Sequence, residues 1–203
     1  MRHETLAALL LLACTACAGR SRSAAAPVRF RGEVTDPAGD ALVDARVPRP
    51  PDLVGASVEV SDAGITVRVR FARGTFDRDV TSVTVQLDTD MNTGTGIHPP
   101  GGIGIDYVVN AGQQFFGPNV AVSRATGGAE CGPSPARCYV ETGRAPLVFH
   151  ADGIDATVPR ALLPGVAGPL DFRVQTSVKF ATERFAITTD HMPDQGLPAG
   201  HVR

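Results

Sequence analysis

Residues 170–180 read LDFRVQTSVKF, and this stretch is the clearest guide to the fold class. From Leu170 to Val178, apolar side chains, with one threonine among them, alternate with polar or charged ones such as Asp171 and Arg173. An apolar–polar period of two is typical of a β-strand that buries one face and exposes the other. We therefore predict a long, half-buried strand here.

The same alternation recurs upstream, in ITVRVRF at 65–71 and VTVQL at 83–87. Further strands are predicted near 30–34, 105–109, 120–124, 138–142, 146–150 and 154–158. Long helices are not expected, because 22 glycines and 16 prolines interrupt the helical windows. The segment PRALL at 159–163 allows a single turn, and DHMPDQGLPAGHVR at 190–203 is interpreted as a proline-rich tail. This pattern predicts an all-β fold, an antiparallel β-sandwich of about 9–11 strands.

The N-terminus has the pattern of an export signal, which we assign to residues 1–13. Its apolar run, LAALLLLA at 6–13, is much shorter than the ~20 residues of a membrane-spanning helix. A short apolar run at the N-terminus, followed by small residues, is typical of a cleaved signal peptide. The chain is therefore expected to be exported.

The stretch Leu11-Leu12-Ala13-Cys14 resembles the lipobox of bacterial lipoproteins. The resemblance implies lipidation of Cys14 and cleavage before it; Cys17 is the alternative site. Several acyl chains would hold the protein firmly on a membrane. Thr15, in place of aspartate, favours the outer membrane by the same resemblance.

Composition divides the rest of the chain into a linker at 14–27 and a single β-sandwich domain at 28–203. The net charge of −2 gives no basic surface for nucleic acid. The expected contact with a membrane is through the lipid anchor alone.

Outside the N-terminal region, two cysteines remain, Cys131 and Cys138. An even pair in an oxidising compartment predicts a disulfide bond. Closing so short a loop should stabilise the fold by roughly 2–3 kcal/mol in the chain-entropy model.

A series of short motifs resembles one known superfamily. The motifs, in chain order, are DPAGD at 36–40, PDLVGASV at 51–58, LDTDMNTGTG at 87–96, GIDY at 104–107 and VPRALL at 158–163. Their order over roughly residues 33–190 resembles the β-sandwich superfamily of DOMON domains and family 9-like carbohydrate-binding modules. That resemblance implies a sandwich fold and a ligand drawn from sugars, haem or calcium, or no ligand at all. Haem is disfavoured because His191-Met192 lies in the proline-rich tail and His98 in a Gly/Pro loop, and neither position resembles a ligand on a rigid strand.

Asp88, Asp90 and Asn92 alternate where a predicted strand ends and glycines follow. Calcium prefers six to eight oxygen ligands, which carboxylates and amides supply. Asp106, on the strand that returns beside Leu87, is the candidate for a further ligand, and the family resemblance also draws attention to these positions. We interpret the segment either as a calcium site or as a solvated turn in which these side chains bond the local backbone.

Sugar-binding modules stack pyranose rings on exposed aromatic side chains. This chain has no tryptophan, so Tyr107 and Phe116 are the candidate ligand-binding residues, with core or edge packing as the alternative. A strand through Phe115 and Phe116 would send one of the two rings outward.

No known catalytic motif is present in the sequence, so we expect a protein that is not an enzyme. Two functional hypotheses remain. One is an exported, membrane-anchored binding module, with a polysaccharide as ligand and a calcium-ordered loop. The other is a structural lipoprotein that binds a protein of the cell envelope.

Overall fold

The computed structural model describes residues 27–47, 49–98, 102–126, 138–179, 186–194 and 197–203. Eleven strands occupy most of these ranges: β1 Val28–Thr35, β2 Leu53–Ser61, β3 Gly64–Phe71, β4 Thr81–Asp88, β5 Tyr107–Ala111, β6 Asn119–Ala125, β7 Tyr139–His150, β8 Gly153–Pro159, β9 Leu170–Val178, β10 Ile187–Met192 and β11 Gly200–Val202. The described helical segments are the helix α1 (Gln113–Phe116) and a 3₁₀ turn (Arg160–Leu162). Within the described ranges, neither the length nor the apolar character of any helix suffices to span a membrane.

The strands form one antiparallel sheet in the order β1-β2-β3-β8-β7-β6-β5-β4-β9-β10, and β11 pairs with the other half of β9. Strand β7 joins the two halves of the sheet, because residues 139–146 pair with β6 and residues 147–150 pair with β8. At the other end, Arg31 and Arg203 exchange backbone hydrogen bonds of 3.1 and 3.3 Å, which join β1 to β11. The sheet is therefore nearly closed and barrel-like.

A large apolar core fills the interior, and Ile103, Ile105 and Val108 form a second, smaller buried cluster. On β3, Ile65, Val67 and Val69 are buried, whereas Arg68 and Arg70, which alternate with them, reach the outer face. Full burial of each such aliphatic side chain stabilises the fold by roughly 1.5–3 kcal/mol. The largest fully buried side chains include Phe172, Leu53, Ile65, Leu87, Leu163, Leu170 and Met192.

The prediction of an all-β, antiparallel domain is confirmed, and the number of strands falls in the expected range. Two separate strands at 138–142 and 146–150 were predicted wrongly, since both belong to β7. Gly143, which lies between the two predicted strands, has φ 151° and lies opposite an irregularity between Val122 and Ser123. Glycine inside a strand often marks such a bulge without ending the strand.

The proline-rich tail is more ordered than its composition indicates. Strand β10 overlaps the start of this tail, residues 190–203, and β11 lies within it; both strands pair with β9. Residues 1–26, which carry the predicted signal, the lipidation site and most of the linker, lie outside the described residues.

Candidate functional site

The acidic loop, of which the structure describes residues 88–98 and 102–106, leaves the sheet at the end of β4 and returns at the start of β5. Leu87 and Tyr107 are paired across these two strands, and the amide of Asp106 donates to Leu87 O at 2.9 Å. Asp88 and Asp106 are therefore brought to the same edge of the sheet, although the sequence separates them by a long connection.

The predicted carboxylates meet at this edge. One carboxylate oxygen from each of Asp88, Asp90 and Asp106 lies within 4.8 Å of the other two. Calcium binds oxygen at 2.3–2.6 Å, so oxygens on opposite sides of one ion are about 5 Å apart. Asp88 is fully buried, Asp106 is half-buried and Asp90 is exposed, so the cluster runs from the interior to the surface. Its size fits a single divalent cation.

Backbone amides fix the two inner carboxylates. Asp88 accepts hydrogen bonds from Asn92 N at 3.2 Å and from Gly104 N at 3.1 Å. Asp106 Oδ2 accepts from both the amide and the hydroxyl of Thr89, each at 2.8 Å. These bonds hold the carboxylates in place without any basic side chain.

Asn92 contributes mainly through its backbone. Its amide also lies 2.9 Å from Asp90 Oδ1, and its side-chain oxygen accepts from Gly94 N at 3.0 Å. The amide therefore orients two carboxylates, while the side-chain oxygen bonds the local backbone. The role of that oxygen as a metal ligand stays a prediction.

Two glycines let the loop close on itself. Gly96 has φ 69°, and a Cβ there would lie 2.2 Å from Ile105 O. A Cβ on Gly104 would lie 2.5 Å from Asn92 O and 2.6 Å from Thr95 O. Only glycine permits both close approaches, which bring the amide of Gly104 to Asp88.

Burial raises the pKa of Asp88 above its usual range. The amides of Gly104 and Asn92 oppose this rise, whereas the charge of Asp106 and contact with the carboxyl group of Asp90 add to it. Like charges at short range disfavour ionisation, and a bound cation would relieve this repulsion.

A cleft of about 410 Å³ adjoins the cluster and shares two of its members. Its lining is mostly polar and comprises Thr89, Asp90, Asp106, Tyr107, Arg124, Ala125, Thr126 and Pro164. A ligand in this cleft would therefore meet two carboxylates, a guanidinium group and two hydroxyl side chains.

Tyr107 borders the cleft but belongs to the core. Its side chain is 3% exposed, and its hydroxyl donates to Pro164 O at 2.6 Å. The hypothesis that its ring stacks on a sugar is corrected accordingly, because no ring face is open to solvent.

Phe116 lies far from the acidic loop. It ends helix α1, beyond the opposite end of β5 from Tyr107, and not on a strand as expected. Arg144 stands over its ring at 5.7 Å, and the neighbouring Phe115 is the more exposed of the two rings. Tyr107 and Phe116 therefore cannot line one ligand site.

Three contributors to the site were missed from the sequence. Thr95 Oγ1 lies 3.0 Å from both carboxylate oxygens of Asp90, Gly104 supplies an amide to Asp88, and Arg124 lines the cleft. Thr95, three residues after the D-x-D-x-N run at 88–92, was a usable signal. Arg124 carried none, because only the pairing of β5 with β6 brings it there.

The structure does not test the cysteine predictions. Cys138 is buried just before β7, whereas Cys131 and Cys14 lie outside the described residues. The disulfide bond and the lipid anchor therefore stay predictions.

No protein-family model, curated protein or solved structure matches this chain. The resemblance to DOMON and family 9-like modules accordingly stays a hypothesis based on the order of short motifs.

Proposed function

We propose that this protein is an exported, lipid-anchored binding module that takes a polyhydroxylated ligand, such as an oligosaccharide, beside a calcium ion held by the acidic loop. One observation carries the proposal: the Asp88–Asp90–Asp106 cluster adjoins a polar cleft, and Asp90 and Asp106 belong to both. The leader and lipobox predicted from the sequence support the location outside the cytoplasm.

The cluster supports a cation that is open to the ligand. Three carboxylates fill only part of the six to eight positions around calcium, so water or ligand hydroxyl groups would complete the shell. The exposed Asp90 lies on the cleft side, whereas Asp88 closes the buried side. Extracellular calcium modules bind the ion with a dissociation constant of roughly 10⁻⁴–10⁻³ M, and we expect a value in that range.

The lining of the cleft favours hydrogen bonding over stacking. Its one aromatic residue, Tyr107, is buried, and the accessible groups come from Asp90, Arg124 and Thr126. A sugar would therefore bind through its hydroxyl groups. The two carboxylates and the one arginine of the cleft can bond the hydroxyl groups of an uncharged sugar, and the arginine can also pair with an anionic group on the ligand.

The competing hypothesis, a protein-binding envelope lipoprotein, has less support among the described residues. Their exposed large apolar side chains are few and stand singly in the sequence, apart from the adjacent pair Leu42 and Val43. Single exposed apolar residues are normal on monomeric proteins.

The test is a screen of the purified protein against polysaccharides, with calcium chloride or with a chelator. We expect calcium-dependent retention that Asp90→Asn abolishes and Arg124→Gln weakens. Asp79→Asn, on an exposed turn away from the cleft, is the matched control and should behave like wild type. Retention that is unaffected by the chelator and by Asp90→Asn would contradict the proposal.

A further inference from the structure

A second group of carboxylates lies near the closure of the sheet, where the first strand and the loop after it approach the last strands. Asp36 follows β1, Asp40 lies in the loop after it, and Asp190 is on β10; we call these three residues the seam cluster. One carboxylate oxygen from each lies within 4.8 Å of the other two. The cluster thus joins residues that are about 150 positions apart in sequence but adjacent in the fold.

The seam cluster is separate from the acidic loop. Asp88 pairs with Asp171 on β9, whereas Asp190 pairs with Thr176 on the same strand. Five residues along a strand correspond to about 17 Å. One ion cannot serve both clusters.

Asp190 is held at the seam by backbone amides. Its Oδ2 accepts from Leu53 N at 2.7 Å, and its Oδ1 accepts from His191 N at 2.8 Å. The first of these bonds reaches from β10 to β2, two strands that do not pair in the sheet. The Asp190 carboxylate is therefore fixed at the junction.

A fourth carboxylate supplies an oxygen with no partner. Asp52 is 6% exposed, and its Oδ2 accepts from Gly39 N at 2.8 Å, in the loop that carries Asp36 and Asp40. Its other oxygen, Oδ1, is buried without a hydrogen bond, and so is Oδ2 of Asp36. Buried carboxylate oxygens are normally hydrogen-bonded or bound to metal, so these two unpartnered atoms favour the binding of a cation here.

The electrostatics agree with that conclusion. Burial raises the pKa of Asp36 to about 6, and four neighbouring carboxylates add to the rise: Asp194, Asp40, Asp190 and Asp52. Burial likewise raises the pKa of Asp190 to about 6 against its two amide donors. The ion pairs seen among the described residues all involve other carboxylates.

Solvent can reach the cluster. A cleft of about 330 Å³ is lined by Asp40, Leu42, Thr188, Thr189, Asp190, His191 and Asp194. The exposed Asp40 and the buried Asp190 both line it, so an ion could reach the cluster without unfolding of the sheet.

We propose that Asp36, Asp40 and Asp190 bind a second divalent cation. The carboxylate donors are hard oxygen ligands, which favour calcium over zinc or copper. The ion links the loop after β1 to β10, whose Asp190 also bonds the amide of Leu53, and so stabilises the closure of the sheet. This site is independent of the proposed sugar-binding function.

The test counts bound calcium per chain by equilibrium dialysis of the purified protein. We expect wild type to bind two ions, with Asp40→Asn losing one and Asp90→Asn losing the other. The double variant should bind none, and Asp79→Asn should bind as wild type does. Asp40 is exposed, so its substitution should leave the fold intact; Asp36→Asn is the second variant, and Asp190 is kept because it also bonds two amides.

The same measurements separate the two metal proposals. An ion that survives Asp90→Asn and is lost in both Asp40→Asn and Asp36→Asn supports the seam site, whatever the acidic loop does. Asp40→Asn and Asp36→Asn proteins that both bind as many ions as wild type would overturn it.

Discussion

Gly104 shows how a residue without a side chain can support a charged site. A Cβ at this position would come within 2.5 Å of one carbonyl oxygen and 2.6 Å of another. The residue must therefore stay small for its amide to reach Asp88 at 3.1 Å. The predicted ligands depend on this close packing as much as on their own chemistry.

We expect Gly104→Ala to lower both stability and calcium response. The methyl group would push the amide away from Asp88, and a buried group left unsatisfied costs about 1–3 kcal/mol. Gly168→Ala is the matched control, because nothing lies within 4 Å of its Cβ position. Thermal melts with calcium and with chelator measure the effect; equal melts for the two variants would contradict this role of Gly104.

Tyr107 offers a second test at a single residue, since its hydroxyl bonds Pro164 O from within the core. Tyr107→Phe removes that bond alone, and we expect a loss of about 1 kcal/mol in the free energy of unfolding. Sugar retention should not change, because the ring face is buried. A variant with normal stability and lost retention would show that Tyr107 contacts the ligand after all.

Strand β9 is the element on which most of the second half of the sheet depends. It pairs with β4 along its length and with β10 and β11 on its other edge. Its alternation was readable from the sequence because each inward side chain meets the core. Strands β10 and β11 were not readable, since they are short, polar in part and separated by a stretch that holds Pro193 and Pro198. They form because β9 offers an edge with which both can pair.

The importance of β9 can be measured with one pair of leucines. Leu170, on β9, is fully buried, whereas Leu197 is 51% exposed. Leu170→Ala should cost about 2–5 kcal/mol through lost burial and the cavity left behind. Leu197→Ala should stay within about 0.5 kcal/mol of wild type. Chemical denaturation of both variants decides the matter, and similar losses would mean that the assignment of the core is wrong.

Closure of the sheet is a property of the whole molecule. The backbone bonds between Arg31 and Arg203 join the first strand to the last, and Val202 is fully buried beside them. No local sequence pattern predicts such a contact, because its two residues are about 170 positions apart. The seam cluster could not be predicted for the same reason: Asp36 and Asp40 belong to a motif, but nothing in the sequence places them beside Asp190.

We expect deletion of residues 200–203 to open this closure. The loss of Val202 burial alone should destabilise the protein by roughly 1.5–3 kcal/mol. His201→Ala is the control, because that side chain is on the solvent side and its contact with Asp171 is a surface pair. Denaturation midpoints compare the two; an unchanged midpoint after the deletion would mean that the last strand adds nothing to the closed sheet.

A terbium titration examines the acidic loop separately from the seam cluster. Terbium occupies calcium sites and emits when a nearby tyrosine transfers energy to it, and the chain has two tyrosines and no tryptophan. Tyr107 lines the cleft with Asp90 and Asp106, whereas no tyrosine lines the seam cleft. We expect tyrosine-excited emission that calcium competes away, that Asp40→Asn retains and that Asp90→Asn loses. Emission that is absent from the wild-type protein, or that persists unchanged in Asp90→Asn, would refute a cation in the acidic loop.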